Sequence, residues 1–201
     1  TKELIMGKSG FHFFAFLSRM KYISRWGLMR NTLQENIQEH SLQVAIISHA
    51  LAVIKNKLFG GNVNTDRAAV LGIFHDCNEI LTGDMPTPIK YFNPEISQAY
   101  KNVENISKQK LLSMLPEELA DSYSPLLFHN SNDDELWVLV KAADKISAYI
   151  KCIEEIKAGN KEFKKAGESI YKVIEEFNLP EVKYFVDHFL PSFYLTLDEL
   201  E

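Results

Sequence analysis

The chain has 201 residues, 46% hydrophobic and 24% charged, the balance of a soluble globular protein long enough to bury one real core. Its net charge of -5 argues against a general nucleic-acid binder and leaves room only for a local basic pocket. The two cysteines, Cys77 and Cys152, exclude a disulfide scaffold and fit a reducing cytoplasm, and no apolar run approaches the roughly 20 residues that cross a bilayer.

Residues 1–10 are polar and contain glycine, and read as a flexible extension ahead of a single domain over 11–201. The apolar run that follows is interrupted by His12 and lacks a small-residue cleavage site, unlike a signal peptide. Residues 11–29 carry apolar side chains at helical spacing. Residues 36–57 form a clearer stripe through Leu42, Ala45, Ile46, Ala50 and Val53, stopped by Gly60-Gly61-Asn62. Asn64 or Thr65 can cap the next helix, which runs through Val70, Leu71, Phe74, Cys77 and Ile80 to a stop at Gly83. Pro86, Pro88 and Pro94 predict a loop over 84–94. An amphipathic helix is expected over 95–114, a shorter one opens at Pro116, and a long one spans 132–158 with acidic residues in its first turn. Two further helices are separated at Pro180. No alternating strand pattern of useful length appears, so the class is all-α.

Three of these helices carry residues that an apolar helix does not need. His75 and Asp76 are adjacent and reach a common helix edge, with Glu79 one turn on. His40 stands near the start of the second helix, and Asp144 lies among apolar neighbours in the long one. Two imidazoles and two carboxylates from three helices can hold a divalent metal. Taken singly, each has an ordinary explanation. A histidine near a helix start is commonly a cap, and Asp144 can pair with Lys141 or Lys145. The set, in the order His, His-Asp, Asp, is what stands out. His12, His49, His129 and His188 read as cap, surface or core residues; Trp137 and Phe74 read as core, and Arg19 and Lys90 as solvated or paired cations.

That ordered set resembles the HD-domain metal-dependent phosphohydrolases. Arg25-Trp26, Glu39-His40-Ser41, Phe74-His75-Asp76, the loop Gly83-Asp84-Met85-Pro86-Thr87-Pro88 and Ala143-Asp144 are similar to the bacterial 5′-deoxynucleotidases of that superfamily. The resemblance implies an all-helical HD-domain bundle and hydrolysis of deoxyribonucleoside 5′-monophosphates to deoxynucleoside and phosphate. The alternatives are another HD-domain activity, on diesters or pyrophosphates, and a silent nucleotide-binding module. His40, His75, Asp76 and Asp144 match the metal ligands, and Glu79 the acid near the attacking water. Arg25 matches the residue that orients the phosphate. Trp26 matches its neighbour against the sugar, and Gly27 after it would let the backbone turn the indole inward. Asp84, Met85, Pro86 and Thr87 match the loop on the nucleoside, with His40, Asp76 and Asp144 also facing substrate. Mixed His/carboxylate ligation implies one transition metal ion, Co, Mn, Fe or Ni, rather than Mg. A cytoplasmic homodimer acting on a nucleotide, with no nucleic-acid polymer or membrane as partner, completes the expectation.

Overall fold

The computed structural model describes residues 10–200, and the extension expected over 1–10 lies almost wholly outside them. The described residues form ten α-helices in chain order: α1 (Phe13–Leu17), α2 (Ile37–Leu58), α3 (Thr65–Phe74), α4 (Glu79–Thr82), α5 (Thr87–Lys90), α6 (Pro94–Leu112), α7 (Glu117–Leu127), α8 (Asp134–Lys157), α9 (Lys164–Glu176) and α10 (Pro180–His188). Among the described residues there is no strand, only one isolated antiparallel bridge between Ser24 and Asn36. No described helix is long and apolar enough to cross a membrane.

Local chemistry explains most of the boundaries. Asn36 and Glu39 form a reciprocal capping box at the start of α2, and the Asn64 side chain accepts from the Arg67 N–H at the start of α3. Such a cap stabilises a helix by about 1 kcal/mol. Gly159, at φ +85°, closes α8, and Pro180 occupies the first turn of α10 rather than merely breaking a helix.

Three expectations are corrected. Residues 11–29 are not one helix: α1 gives way to a 3-10 turn over Ser18–Tyr22 and then to extended backbone at Ile23. Ser24 and Asn36 pair there, and Arg25 N–H donates to the Glu35 carbonyl, so the chain turns back toward α2 instead of continuing. The helix expected through His75 to Gly83 is broken: α3 ends at Phe74, His75 is its C-cap, and helix resumes only at Glu79. The 84–94 loop also holds one helical turn, α5, because Pro88 sits in its first turn, where proline is tolerated.

The core lies where α2 packs on α3 and α8, with α9 and α10 closing it. Val44, Leu51, Leu71, Leu139, Ile146 and Ile150 are almost fully buried there. A second apolar cluster, Phe13, Ile37, Cys77, Leu111 and Leu127, seats α1, α6 and α7 against the broken end of α3. Cys77 and Cys152 are both buried and unbridged. Trp137 and Phe74 pack against the core as expected.

One buried polar group fixes the segment between α1 and α2. The Glu155 carboxylate on α8 is fully buried and accepts from the Thr32 and Leu33 N–H groups, the Thr32 hydroxyl, the Asn160 amide and Lys151 Nζ. Lys151 also donates to the Leu33 carbonyl. A buried carboxylate is tolerated only with such complete pairing. Its hydrogen bonds outweigh burial and hold it well below the ordinary Glu range.

Candidate active site

His40, His75, Asp76 and Asp144 offer ligand atoms that all lie within 4.8 Å of one another. They come from the first turns of α2, the end of α3 and the middle of α8, the three elements packed most closely in the core. His40 Nε2 stands 3.1 Å from Asp144 Oδ1 and 3.7 Å from Asp76 Oδ2, and His75 Nε2 is 3.0 Å from Asp76 Oδ2.

The other ring nitrogens fix the tautomers. His75 Nδ1 is 2.8 Å from the Gly72 carbonyl, which can only accept, so Nδ1 carries the proton. His40 Nδ1 is 3.0 Å from the Ser147 hydroxyl, whose own proton goes to Gln43 Oε1 at 2.6 Å, so Nδ1 donates here too. Both Nε2 atoms therefore present lone pairs. Both are buried and lack a hydrogen-bond partner, although carboxylate oxygens face them. Lone pairs crowded against carboxylates repel unless a proton or a cation lies between them. The donor set thus fits a divalent metal, with Gly72 and Ser147 orienting the imidazoles from behind, as metal-binding histidines normally are.

The electrostatics agree. Burial and then Arg25 lower His40, keeping it neutral. Burial also lowers His75, but Asp76 and Asp144 outweigh it and raise that imidazole. Burial raises Asp76 and Asp144, yet His75 holds Asp76, and His40 with Lys145 hold Asp144, below the ordinary Asp range. A proton on His75 and a cation compete for one lone pair, so metal affinity falls with falling pH.

Gly72 has a second duty. A Cβ built there would stand 2.7 Å from Ala45 Cα and 2.9 Å from Ala45 N, backbone atoms of α2 that cannot yield. Gly72→Ala is therefore expected to push α3 off α2, costing about 1–3 kcal/mol, and to separate His75 from His40. Urea denaturation and metal titration check this; unchanged stability and affinity would show that the helices give way elsewhere.

Arg25 and Trp26 reach the site from the segment ahead of α2. Arg25 Nε donates to Glu35 Oε2 at 2.9 Å, while Nη1 lies 3.7 Å from Asp76 Oδ2. Trp26 has φ +60°, the left-handed region that large side chains avoid at a cost of about 1–3 kcal/mol. Gly27, expected to supply that turn, has no positive φ, so the strain sits on the tryptophan itself. Asp84 Oδ2 accepts from the Trp26 N–H at 3.0 Å, and the Trp26 carbonyl accepts from Asn31 Nδ2. The indole N–H donates to Glu35 Oε2 at 3.1 Å, and the ring leans on Phe163.

A cavity of about 610 Å³ opens over these residues. Arg25, Trp26, Asp84, Met85, Pro86, Thr87 and Asp144 all line it, as do Lys145 and, from α9, Ala166, Ser169, Ile170 and Val173. Its size suits a nucleotide-sized ligand. Glu79, in the first turn of α4, is 7% exposed and its Oε2 has no partner. Burial first, then the Asp76 and Asp84 charges, push its carboxyl up to about 10.

Two neighbours were not singled out in the sequence for the roles they take. Lys145 donates to Asp144 Oδ2 at 2.9 Å, leaving Oδ1 toward His40; of the two lysines weighed, it is the one that pairs. Glu35 carried no sequence signal at all. Of the residues set aside, His49 and His129 lie near Asp66 and Asp134 at the surface, His188 packs on Tyr184, and Lys90 is bonded to Glu104.

A family profile described as 5′-deoxynucleotidase YfbR-like matches residues 12–193. A 5′-deoxynucleotidase YfbR from Shigella boydii is 54% identical over 189 residues, covering 94% of this chain and 95% of that protein. A 5′-deoxynucleotidase from Photobacterium profundum is 55% identical, with 94% and 97% covered. Among solved structures, an HD-domain phosphohydrolase from Listeria innocua superposes with a TM-score of 0.79 at 24% identity, over 90% of this chain and 88% of that one. A cyanophage S-2L HD phosphohydrolase bound to dA and one catalytic Zn2+ ion superposes at 0.50 with 23% identity, over 74% and 72%. Both structural likenesses speak for the fold.

Proposed function

Because the chain belongs to the YfbR-like 5′-deoxynucleotidase family, we infer that it is itself a 5′-deoxynucleotidase, hydrolysing deoxyribonucleoside 5′-monophosphates to deoxynucleoside and phosphate with a bound metal ion. The observation that carries the assignment of its site is the pair of buried imidazole lone pairs facing two carboxylates. His40, His75, Asp76 and Asp144 hold the metal, and residues 11–201 act as one catalytic unit.

The chemistry follows from the residue types. The metal, when bound, supplies Lewis acidity to the phosphoryl group and to the attacking water. Two imidazoles favour a transition metal such as Co, Mn, Fe or Ni over Mg, which prefers oxygen ligands. Arg25, with Nε committed to Glu35, presents its Nη groups to phosphate oxygens as a planar fork. Glu79 holds a proton of the attacking water at Oε2, a buried oxygen without a hydrogen-bond partner. Asp84, Met85, Pro86 and Thr87 bound the nucleoside side of the cavity, and Trp26 stands against the sugar. The enzyme works in the cytoplasm as a homodimer; exposed Leu42 and Ile46 on α2 and Ile73 on α3 supply an apolar face for a second copy.

The test is release of inorganic phosphate from matched ribo- and deoxyribonucleoside monophosphates, with Co, Mn and Mg added separately. Deoxyribonucleotides are expected to be hydrolysed in preference, fastest with a transition metal. A metal-loaded protein that frees no phosphate from any monophosphate would overturn the reading. A rigid wall rejects an added hydroxyl far better than a soft pocket does. Trp26→Ala should therefore shift the deoxy/ribo ratio of kcat/KM toward unity by about tenfold or more. If both activities fall together and the ratio holds, Trp26 only packs.

A further inference from the structure

We propose that Glu35 is the positioning residue that couples phosphate hold to sugar selectivity, because one oxygen, Oε2, accepts from both Arg25 Nε and the Trp26 indole N–H. The inference rests on the reading that Arg25 and Trp26 meet the substrate.

Successive side chains on extended backbone point to opposite faces. Arg25 and Trp26 are adjacent, yet both line the same cavity. The chain achieves this by placing Trp26 at φ +60°. A bulky residue stays in that region only where its surroundings over-determine it. Asp84 holds the Trp26 N–H, Asn31 and the Met29 N–H hold its carbonyl, and none of these is hydrogen-bonded to the Arg25 or Trp26 side chain. Among the described residues Glu35 is the one bonded to both: its carboxylate sets the rotation of the guanidinium about Nε and the edge the indole presents.

Glu35 is itself referenced to the metal cluster. Its carbonyl accepts from Arg25 N–H, and the next residue, Asn36, pairs with Ser24 and caps α2. His40 follows four residues later on that helix. The chain ahead of Glu35 is pinned to α8 by the buried Glu155. Glu35 thus transmits the position of α2 to the two recognition side chains. It also restrains Arg25, whose Nη1 lies 3.7 Å from Asp76. Released from Glu35, the guanidinium can close onto that carboxylate instead of a phosphate. The Arg25 and Glu35 side chains are 10% and 14% exposed, so the charged bond between them is only weakly screened.

The test uses the full-length, Mn-loaded enzyme and a matched deoxy/ribo pair of monophosphates. Glu35→Ala and Glu35→Gln are made alone and combined with Arg25→Ala and Trp26→Ala. Loss of a charge-assisted bond predicts that Glu35→Ala raises KM about tenfold and lowers the deoxy/ribo ratio about tenfold. In the Trp26→Ala background it should not change the ratio further, and in the Arg25→Ala background it should not raise KM further. Glu35→Gln keeps an acceptor oxygen but loses the charge, so it should retain most of the ratio while still raising KM. That split also decides the matter if the alanine variant does not fold. In Trp137→Phe protein Trp26 is the sole tryptophan, and Glu35→Ala should shift its emission. Additive effects in both cycles, or folded Glu35 variants with unchanged KM and ratio, overturn the proposal. If Arg25→Ala and Trp26→Ala themselves change neither quantity, the reading beneath it falls and the proposal falls with it.

Discussion

Asp144→Ala is expected to leave the purified protein without metal and to lower turnover by about a thousandfold or more, the scale of losing the metal's charge stabilisation in the transition state. Helix content should hardly change. Asp144 sits in mid-α8 between well-buried Ala143 and Ile146, and its carboxylate faces His40 on one oxygen and Lys145 on the other. Alanine is the best helix former, so the backbone loses nothing. Lys145 is 42% exposed and finds water once its partner is gone. The cluster keeps two imidazoles and Asp76, a weaker set with one carboxylate fewer. Asp144→Asn separates charge from shape: it fits the same space but offers no anionic ligand, and should lose metal nearly as fully. Metal content by elemental analysis, beside far-ultraviolet circular dichroism, is the measurement. Full stoichiometry in a folded Asp144→Ala protein would remove Asp144 from the ligand set.

The parts of this site legible in the sequence share one physical cause. His40, His75, Asp76 and Asp144 are polar residues that an apolar helix does not need, so each stands out against its own neighbours. Their helices are fixed by strong local signals, such as the Asn36/Glu39 capping box and the Gly159 stop. What stayed hidden depends on contacts between distant residues. His75 falls after the end of α3, not within a helix, because its Nδ1 turns back to the Gly72 carbonyl and Cys77 is drawn into the second apolar cluster. Periodicity alone carries an apolar helix straight through that point. The apolar run at 11–29 likewise reads as helix, yet pairing of 23–25 with 35–37 overrides it. Glu35 carries no local sign that this pairing brings it to Arg25 and Trp26. Gly72 carries no sequence sign that Ala45 leaves no room for a methyl group. The left-handed turn was expected at Gly27 because glycine tolerates it most easily, whereas bonds from Asp84, Asn31 and Glu35 impose it on Trp26.

Glu79→Gln is expected to retain the metal and lose turnover by about a hundredfold to ten-thousandfold, the range for a positioned proton-transfer group. The four ligand atoms that converge come from other residues, so coordination does not require Glu79. Its position nevertheless follows theirs. The Glu79 N–H donates to the Asp76 carbonyl at 2.9 Å, so the first turn of α4 is built directly on a proposed ligand. Burial and the two neighbouring acidic charges raise its carboxyl, so its ionised form is a stronger base toward the water's proton than an ordinary carboxylate. Oε2 is buried without a partner, an arrangement that costs stability unless something uses it. Glutamine has the same shape and fills the same space, but its amide cannot take up a proton at neutral pH. A purely structural Glu79 would therefore tolerate glutamine with little loss of rate, whereas a proton carrier would not. Single-turnover phosphate release on metal-replete Glu79→Gln distinguishes the two, with Glu79→Asp as the control that keeps the acid on a shorter arm and should recover part of the rate. A glutamine variant with bound metal and near-normal turnover would assign the water's proton to another group.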